Sequence, residues 1–256
     1  MLDSCPGVNG VNEPSLGRHL APFMCEIPGA QPSDFGLDNC TLNRSAAAGS
    51  GYFFSERDSA SWLGPLGQMI CDRFSNRSRY DVIAIQEPNG SQAADIIMRA
   101  IPEARLLFLL RDGRDVVDSE RTAYAEGGWM TRRYPIRGMP ADARAAFLEE
   151  AAHKWVWRTL IVNEAFEQHP GPRLMVRYEA LRERPEVEMA RICDWAGITA
   201  DVPAIVERHA FERTKVRGPN EFARAASPGG WRDNLSAAEL DAIAPIMQAT
   251  LDRFGY

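Results

Sequence analysis

Two short apolar runs, each followed at once by helix-like spacing, limit the fold of this chain most. "DVIAI" at residues 81–85 reads as a buried strand, and Pro88-Asn89-Gly90 as a turn. Ser91 stands where it can cap a helix reaching about Ile101. "RLLFLL" at 105–110 reads as a second buried strand, and a helix from about Asp115 to Glu126 follows it. Strand, helix, strand, helix at this spacing is a βαβ unit, which implies a parallel sheet covered by helices.

The second half of the chain fits the same class. Apolar residues at Phe147, Ala151, Trp155, Val162 and Phe166 mark one face of a long helix over 142–168, ended by His169-Pro170-Gly171. "RLMVRY" at 173–178 reads as another strand. Pro185 opens a helix that Gly197 closes. Ser236 and Glu239 form a capping box for the last helix, which Pro245 is expected to kink or restart. The N-terminal end is less regular. Residues 1–14 begin as if inside a helix, turn at Pro6-Gly7 and reach Asn12-Glu13-Pro14 with no strand pattern before them. Residues 20–58 are rich in Pro, Gly, Ser and Asn and read as a surface excursion or lid. The expectation is α/β, with 1–256 a single domain.

Charge and cysteine usage narrow the function. A net charge of -6 argues against non-specific nucleic-acid binding, so any anion site must be built from a few placed Arg residues. The 5 Cys are scattered, with no C-x-x-C pair, and the 4 His lie far apart. That pattern argues for reduced thiols rather than a disulfide framework, and against a metal site. No apolar run is long enough for a membrane span, and no signal-peptide pattern follows Met1. The expected compartment is the cytoplasm, unless an absent N-terminal segment supplies an anchor.

The second strand breaks off into two Arg-Asp pairs, Arg111-Asp112 and Arg114-Asp115. In a parallel α/β sheet, ligands sit beyond the carboxyl ends of the strands, beside helix N-termini that favour negative charge. Arg111 stands at such an end, and Ser119 falls in the first turns of the next helix. Asp115 is placed to cap that helix, and Arg114 to pair with Asp112 or Asp118. On the residues alone, an anion site and a set of surface ion pairs stand level.

Resemblance separates the two. "RLLFLLRDGRDVVDSE" (105–120) closely resembles the 3'-phosphate-binding segment of sulfotransferases that use 3'-phosphoadenosine-5'-phosphosulfate (PAPS). In that family a strand leads into Arg-Asp-x-Arg-Asp, and a Ser follows eight residues after the first Arg. "VRYEALRERPEVEMARICDWAGI" (176–198) is similar to the family's Tyr-Glu-x-Leu segment and Pro-started helix. "FARAASPGGWRDNLS" (222–236) is similar to its late cofactor-covering loop. "MLDSCPGVNGVNEPSLG" (1–17) resembles the stretch after its first phosphate loop, above all in the carbohydrate enzymes, where a short strand leads to an acidic base.

The resemblance implies a P-loop-NTPase-like central parallel sheet flanked by helices. It also implies sulfuryl transfer from PAPS to an acceptor hydroxyl, of a carbohydrate or small metabolite, without a metal. Arg111 and Ser119 would hold the 3'-phosphate, and Arg224 and Arg232 would reach it from the late loop, while Trp231 would cover the adenine or, as aromatic residues more often do, simply pack. Glu13 would be the base, with Glu87 and His19 as competing candidates. Glu179 reads as a structural partner of nearby backbone or Arg residues.

The family's first strand and its Gly- and Ser/Thr-rich loop for the 5'-phosphosulfate have no counterpart. The match begins where the helix after that loop should be under way, so Met1 is expected to be an internal methionine, and turnover to need the missing segment. Gln86 stands where many relatives carry Lys, and Ala225-Ala226 replace a frequent Lys-Gly. Two other readings remain: a P-loop kinase relative, and a non-catalytic nucleotide-binding remnant.

Overall fold

The computed structural model describes residues 1–14, 16, 58–88, 91–125, 127–130, 144–210 and 227–256. His19, Arg224 and nearly all of the expected excursion at 20–58 lie outside them. Among the described residues the protein is a mixed α/β fold, mostly helical with small sheets. A 3-10 turn at Leu2–Ser4 leads to β1 (Val8–Asn12), followed by α1 (Ser59–Ser75) and β2 (Val82–Gln86). A second 3-10 turn (Ser91–Ala93) runs into α2 (Ala94–Ala100). Then come β3 (Leu106–Leu110), α3 (Gly113–Tyr124), α4 (Arg144–Gln168), β4 (Arg173–Arg177), α5 (Tyr178–Glu183) and α6 (Pro185–Ala196). The last helices are α7 (Val202–Arg208), α8 (Trp231–Asn234) and α9 (Ala237–Phe254).

β1 pairs in parallel with β2, Val8 opposite Val82 and Asn12 opposite Gln86, and β3 pairs with β4 in a second two-stranded sheet. The strand β1 is absent from the residue-by-residue expectation. "VNGVN" has only two β-branched residues and a glycine, so its extended form comes from the partner strand rather than from propensity. Ser91 does not cap a continuous helix, because its own turn is 3-10 and Ala93 occupies the cap of α2. Pro245 lies inside α9 without ending it.

The chain divides into two compact units. Unit 1 comprises Met1–Phe108, Trp157–Met175 and Ala190–Asp201, and unit 2 comprises Leu109–Val156, Val176–Met189 and Val202–Tyr256. Unit 1 buries the apolar stripe of α1 (Trp62, Leu66, Ile70) against Ala93, Ile96 and Ala100. These positions recur at helical spacing, so burying one face of each helix removes most of their apolar area from water. Unit 2 buries Leu110, Val117, Leu148, Trp155, Val176, Ile243 and Met247. Gly113 opens α3 where no side chain fits: a Cβ there would come within 2.4 Å of Met247 Cε and of the Trp155 ring.

α9 begins with the expected capping box, Ser236 Oγ accepting from Glu239 N while the Glu239 carboxylate accepts from Ser236 N. Arg144 adds an ion pair to the same carboxylate. These contacts, the hydrogen bond from Arg144 first, lower the Glu239 pKa to about 2 from 4.5. A depressed carboxylate contributes stability that is present above its unfolded pKa and lost as pH falls through the folded one. Replacing it in Glu239→Gln should cost on the order of 1 to 2 kcal/mol near neutral pH, allowing for solvent screening at the half-exposed Arg144. In urea unfolding at stepped pH, that difference should shrink between about pH 4.5 and pH 2. A difference independent of pH would show that the carboxylate charge is not what matters.

Candidate functional site

The carboxyl end of β3 and the start of α3 lie in unit 2, and their polar groups separate the two Arg-Asp pairs. Asp112, not Asp115, caps α3, its Oδ1 accepting from Arg114 N at 2.9 Å. The same carboxylate takes the Arg114 guanidinium through Nε at 3.0 Å and Nη2 at 2.8 Å, so Arg114 is neutralised by its neighbour. That guanidinium also lies over the Trp231 ring at 4.2 Å, and Arg232 lies over the same ring at 4.4 Å.

Asp115 is 2% exposed and accepts from Gly229 N at 2.7 Å and Trp231 N at 3.2 Å. Asp118 accepts from Arg121 Nη2 at 2.7 Å and Asn234 Nδ2 at 2.8 Å. The three acids are spaced by three and share one side of the helix. One serves as cap, and the other two anchor the 229–234 segment that carries Trp231 and Arg232. Glu120 pairs with Lys154.

Arg111 differs from its neighbour. Its guanidinium lies over the Tyr178 ring at 4.8 Å, and its Nε is buried with no hydrogen-bond partner among the described residues. No ion pair to it occurs among the described residues. Trp231 Nε1 is likewise buried with no hydrogen-bond partner among the described residues. A cation that no carboxylate among the described residues neutralises, beside the N-terminus of a twelve-residue helix, suits an anion. Ser119 is exposed, in the second turn of that helix.

The backbone of Arg111 is held by residues distant from it in sequence. Its carbonyl accepts from Trp155 Nε1 at 3.3 Å, and the next amide, Asp112 N, donates to Glu179 Oε1 at 2.9 Å. Glu179 is thus the backbone partner the sequence suggested, but its second oxygen accepts from Tyr256, about which the sequence said nothing.

Unit 1 holds the carboxylate candidates. Glu13 extends the parallel ladder beyond β1, its amide donating to Gln86 O at 2.9 Å. Its φ of 48° is the one positive value at a non-glycine among the described residues, and it is exposed. Backbone strain of this kind gathers at functional positions. Glu87, one residue past β2, is engaged differently: its Oε2 accepts from Leu16 N at 2.6 Å. No group of His, Cys, Asp and Glu able to hold a metal occurs among the described residues, and no described helix is long and apolar enough to cross a membrane.

The sequence matches the sulfotransferase family over residues 26–202. No curated protein matches it significantly. Among solved structures, the mouse sulfotransferase SULT7A1 complexed with PAP is similar with a TM-score of 0.53 and 14% identity, over 96% of this chain and 84% of that one. The sulfotransferase domain from the curacin biosynthetic pathway gives a TM-score of 0.44 at 13% identity, over 72% of this chain and 68% of that one. At 14% identity the likeness to the mouse structure speaks for the fold alone.

Proposed function

This chain belongs to the sulfotransferase family, and on that footing we propose that it moves a sulfuryl group from PAPS to an acceptor hydroxyl of a carbohydrate or small metabolite. The observation that carries the reading is Arg111, a cation at a strand end and helix start with no ion-pair partner among the described residues, while its neighbour Arg114 has one. The ligand of the mouse relative, PAP, carries the 3'-phosphate that such a cation would bind. Ser119 adds a hydroxyl to the same anion. Arg232, supported on Trp231, and Arg224 add positive charge from the late loop.

Glu13 is the base in this reading. It stands at the carboxyl end of a parallel ladder, where such folds place their chemistry, and its φ is positive there. Glu87, whose carboxylate receives the Leu16 amide, is the competing candidate. In the transfer, the acceptor oxygen forms a bond to sulfur as the bond from sulfur to the 5'-phosphate oxygen breaks. Glu13 takes the hydroxyl proton, and 3'-phosphoadenosine-5'-phosphate leaves with the bridging electrons. Positioning and charge stabilisation supply most of the acceleration, as in phosphoryl transfer, and no covalent enzyme intermediate is needed.

Calorimetric titration tests the reading. PAP should bind at least about tenfold more tightly than adenosine 5'-phosphate, as one charge-assisted contact implies. In the active enzyme, sulfur label from PAPS should appear on a hydroxyl acceptor. Equal affinity for the two nucleotides, or label moving instead from the γ-phosphate of ATP, would replace this reading with the kinase or the non-catalytic one.

A further inference from the structure

The peptide unit joining Arg111 to Asp112 is gripped at both ends, by Trp155 at its carbonyl and by Glu179 at its amide. Glu179 does not act alone. Its Oε2 accepts from the Tyr256 hydroxyl at 2.9 Å, and that hydroxyl also lies 3.5 Å from the Leu110 carbonyl. Tyr256 is itself held. The Arg177 guanidinium stacks on its ring at 4.7 Å and donates to the carbonyls of Phe254 and Gly255. Gly255, with φ of 70°, ends α9 in a left-handed cap that turns Tyr256 back toward β3. Burial, then the neighbouring Glu179 charge and hydrogen bond, push the Tyr256 phenol well above its usual range, so it remains a donor.

α5 therefore presents two consecutive residues to Arg111. Tyr178 lies against the guanidinium, and Glu179 holds the following amide. A shift of the Glu179 carboxylate would rotate the Arg111–Asp112 peptide and, with it, the direction in which the guanidinium leaves the chain. A misplacement of about 1 Å at such a point is enough to weaken a charge-assisted contact.

We propose that Tyr256 and Glu179 are positioning residues for the anion site at the end of β3, setting the Arg111–Asp112 peptide plane so that Arg111 meets the 3'-phosphate of the nucleotide. The proposal rests on reading Arg111 as a phosphate ligand. It assigns a positioning role to two residues that lie far from Arg111 in sequence.

The test compares affinity for PAP and for adenosine 5'-phosphate in wild type, Tyr256→Phe, Glu179→Gln and Glu179→Ala, with a thermal melt of each. Tyr256→Phe removes one hydroxyl and keeps the ring over which Arg177 lies. It should weaken PAP by about 3- to 10-fold and adenosine 5'-phosphate by less than about 2-fold. Glu179→Ala should weaken PAP at least as much, and Glu179→Gln, which keeps an acceptor for Asp112 N, should recover part of the loss. Equal changes for both nucleotides, or a lower melting temperature with discrimination intact in Tyr256→Phe and Glu179→Gln, would overturn the proposal and leave Tyr256 as an anchor only. A wild-type protein that fails to prefer PAP would instead overturn the phosphate reading of Arg111, and this inference with it.

Discussion

Glu13→Gln is expected to lower kcat of the active enzyme by roughly 10²- to 10⁴-fold, the usual contribution of a placed general base. The change is nearly isosteric and removes only the capacity to accept a proton. Because the carboxylate is assigned to the acceptor side, affinity for PAP should stay within about 2-fold of wild type. The pairing of the Glu13 amide with Gln86 is a backbone contact and survives the substitution. The comparison variant is Glu87→Gln, which touches the carboxylate that receives the Leu16 amide. If Glu87→Gln lost turnover while Glu13→Gln kept it, the base would have to be reassigned to Glu87. If both kept it, His19 would be the remaining candidate.

Arg111→Ala should weaken PAP by at least about tenfold and adenosine 5'-phosphate little, because the lost contact is with the group that distinguishes them. A single charge-assisted hydrogen bond is worth about 1.5 to 3 kcal/mol, and more where truncation leaves a buried charge unpaired. Ser119→Ala removes a neutral hydroxyl worth about 1 kcal/mol and should cost less, about fivefold. Arg114→Ala is an informative contrast. It leaves the Asp112 carboxylate with the backbone amide of residue 114 alone and takes a guanidinium from Trp231, so it should lower stability more than it alters the preference between nucleotides. Were Arg111→Ala to weaken both nucleotides alike, the strand-end arginines would be scaffolding.

Elements with local signals were readable in advance. The apolar run of β3, the capping box of α9 and the Pro185-to-Gly197 span of α6 each carry their cause within a few residues. β1 does not. Its five residues gain their ladder from β2, some seventy positions later, and nothing in "VNGVN" announces that partner. The distinction between Arg111 and Arg114 was equally hidden, since both precede an Asp. It depends on which Asp caps α3, and Asp115 is unavailable because the amides of Gly229 and Trp231 claim it. That contact spans more than a hundred residues and cannot be read from spacing. The same holds for Tyr256, which meets Glu179 only because α9 brings the two together.

Asp112 is followed by Gly113, the dipeptide in which an aspartate most readily rearranges to isoaspartate. In that reaction the glycine nitrogen attacks the aspartate side-chain carbon, closing a five-membered imide with loss of water. Here the Asp112 backbone, at ψ of 122°, turns its side chain well away from that nitrogen. The carboxylate is also occupied by the Arg114 amide and guanidinium. Ring closure thus requires the start of α3 to open, so isoaspartate at this position would accumulate in proportion to time spent unfolded, and would serve as a chemical clock for storage of the protein.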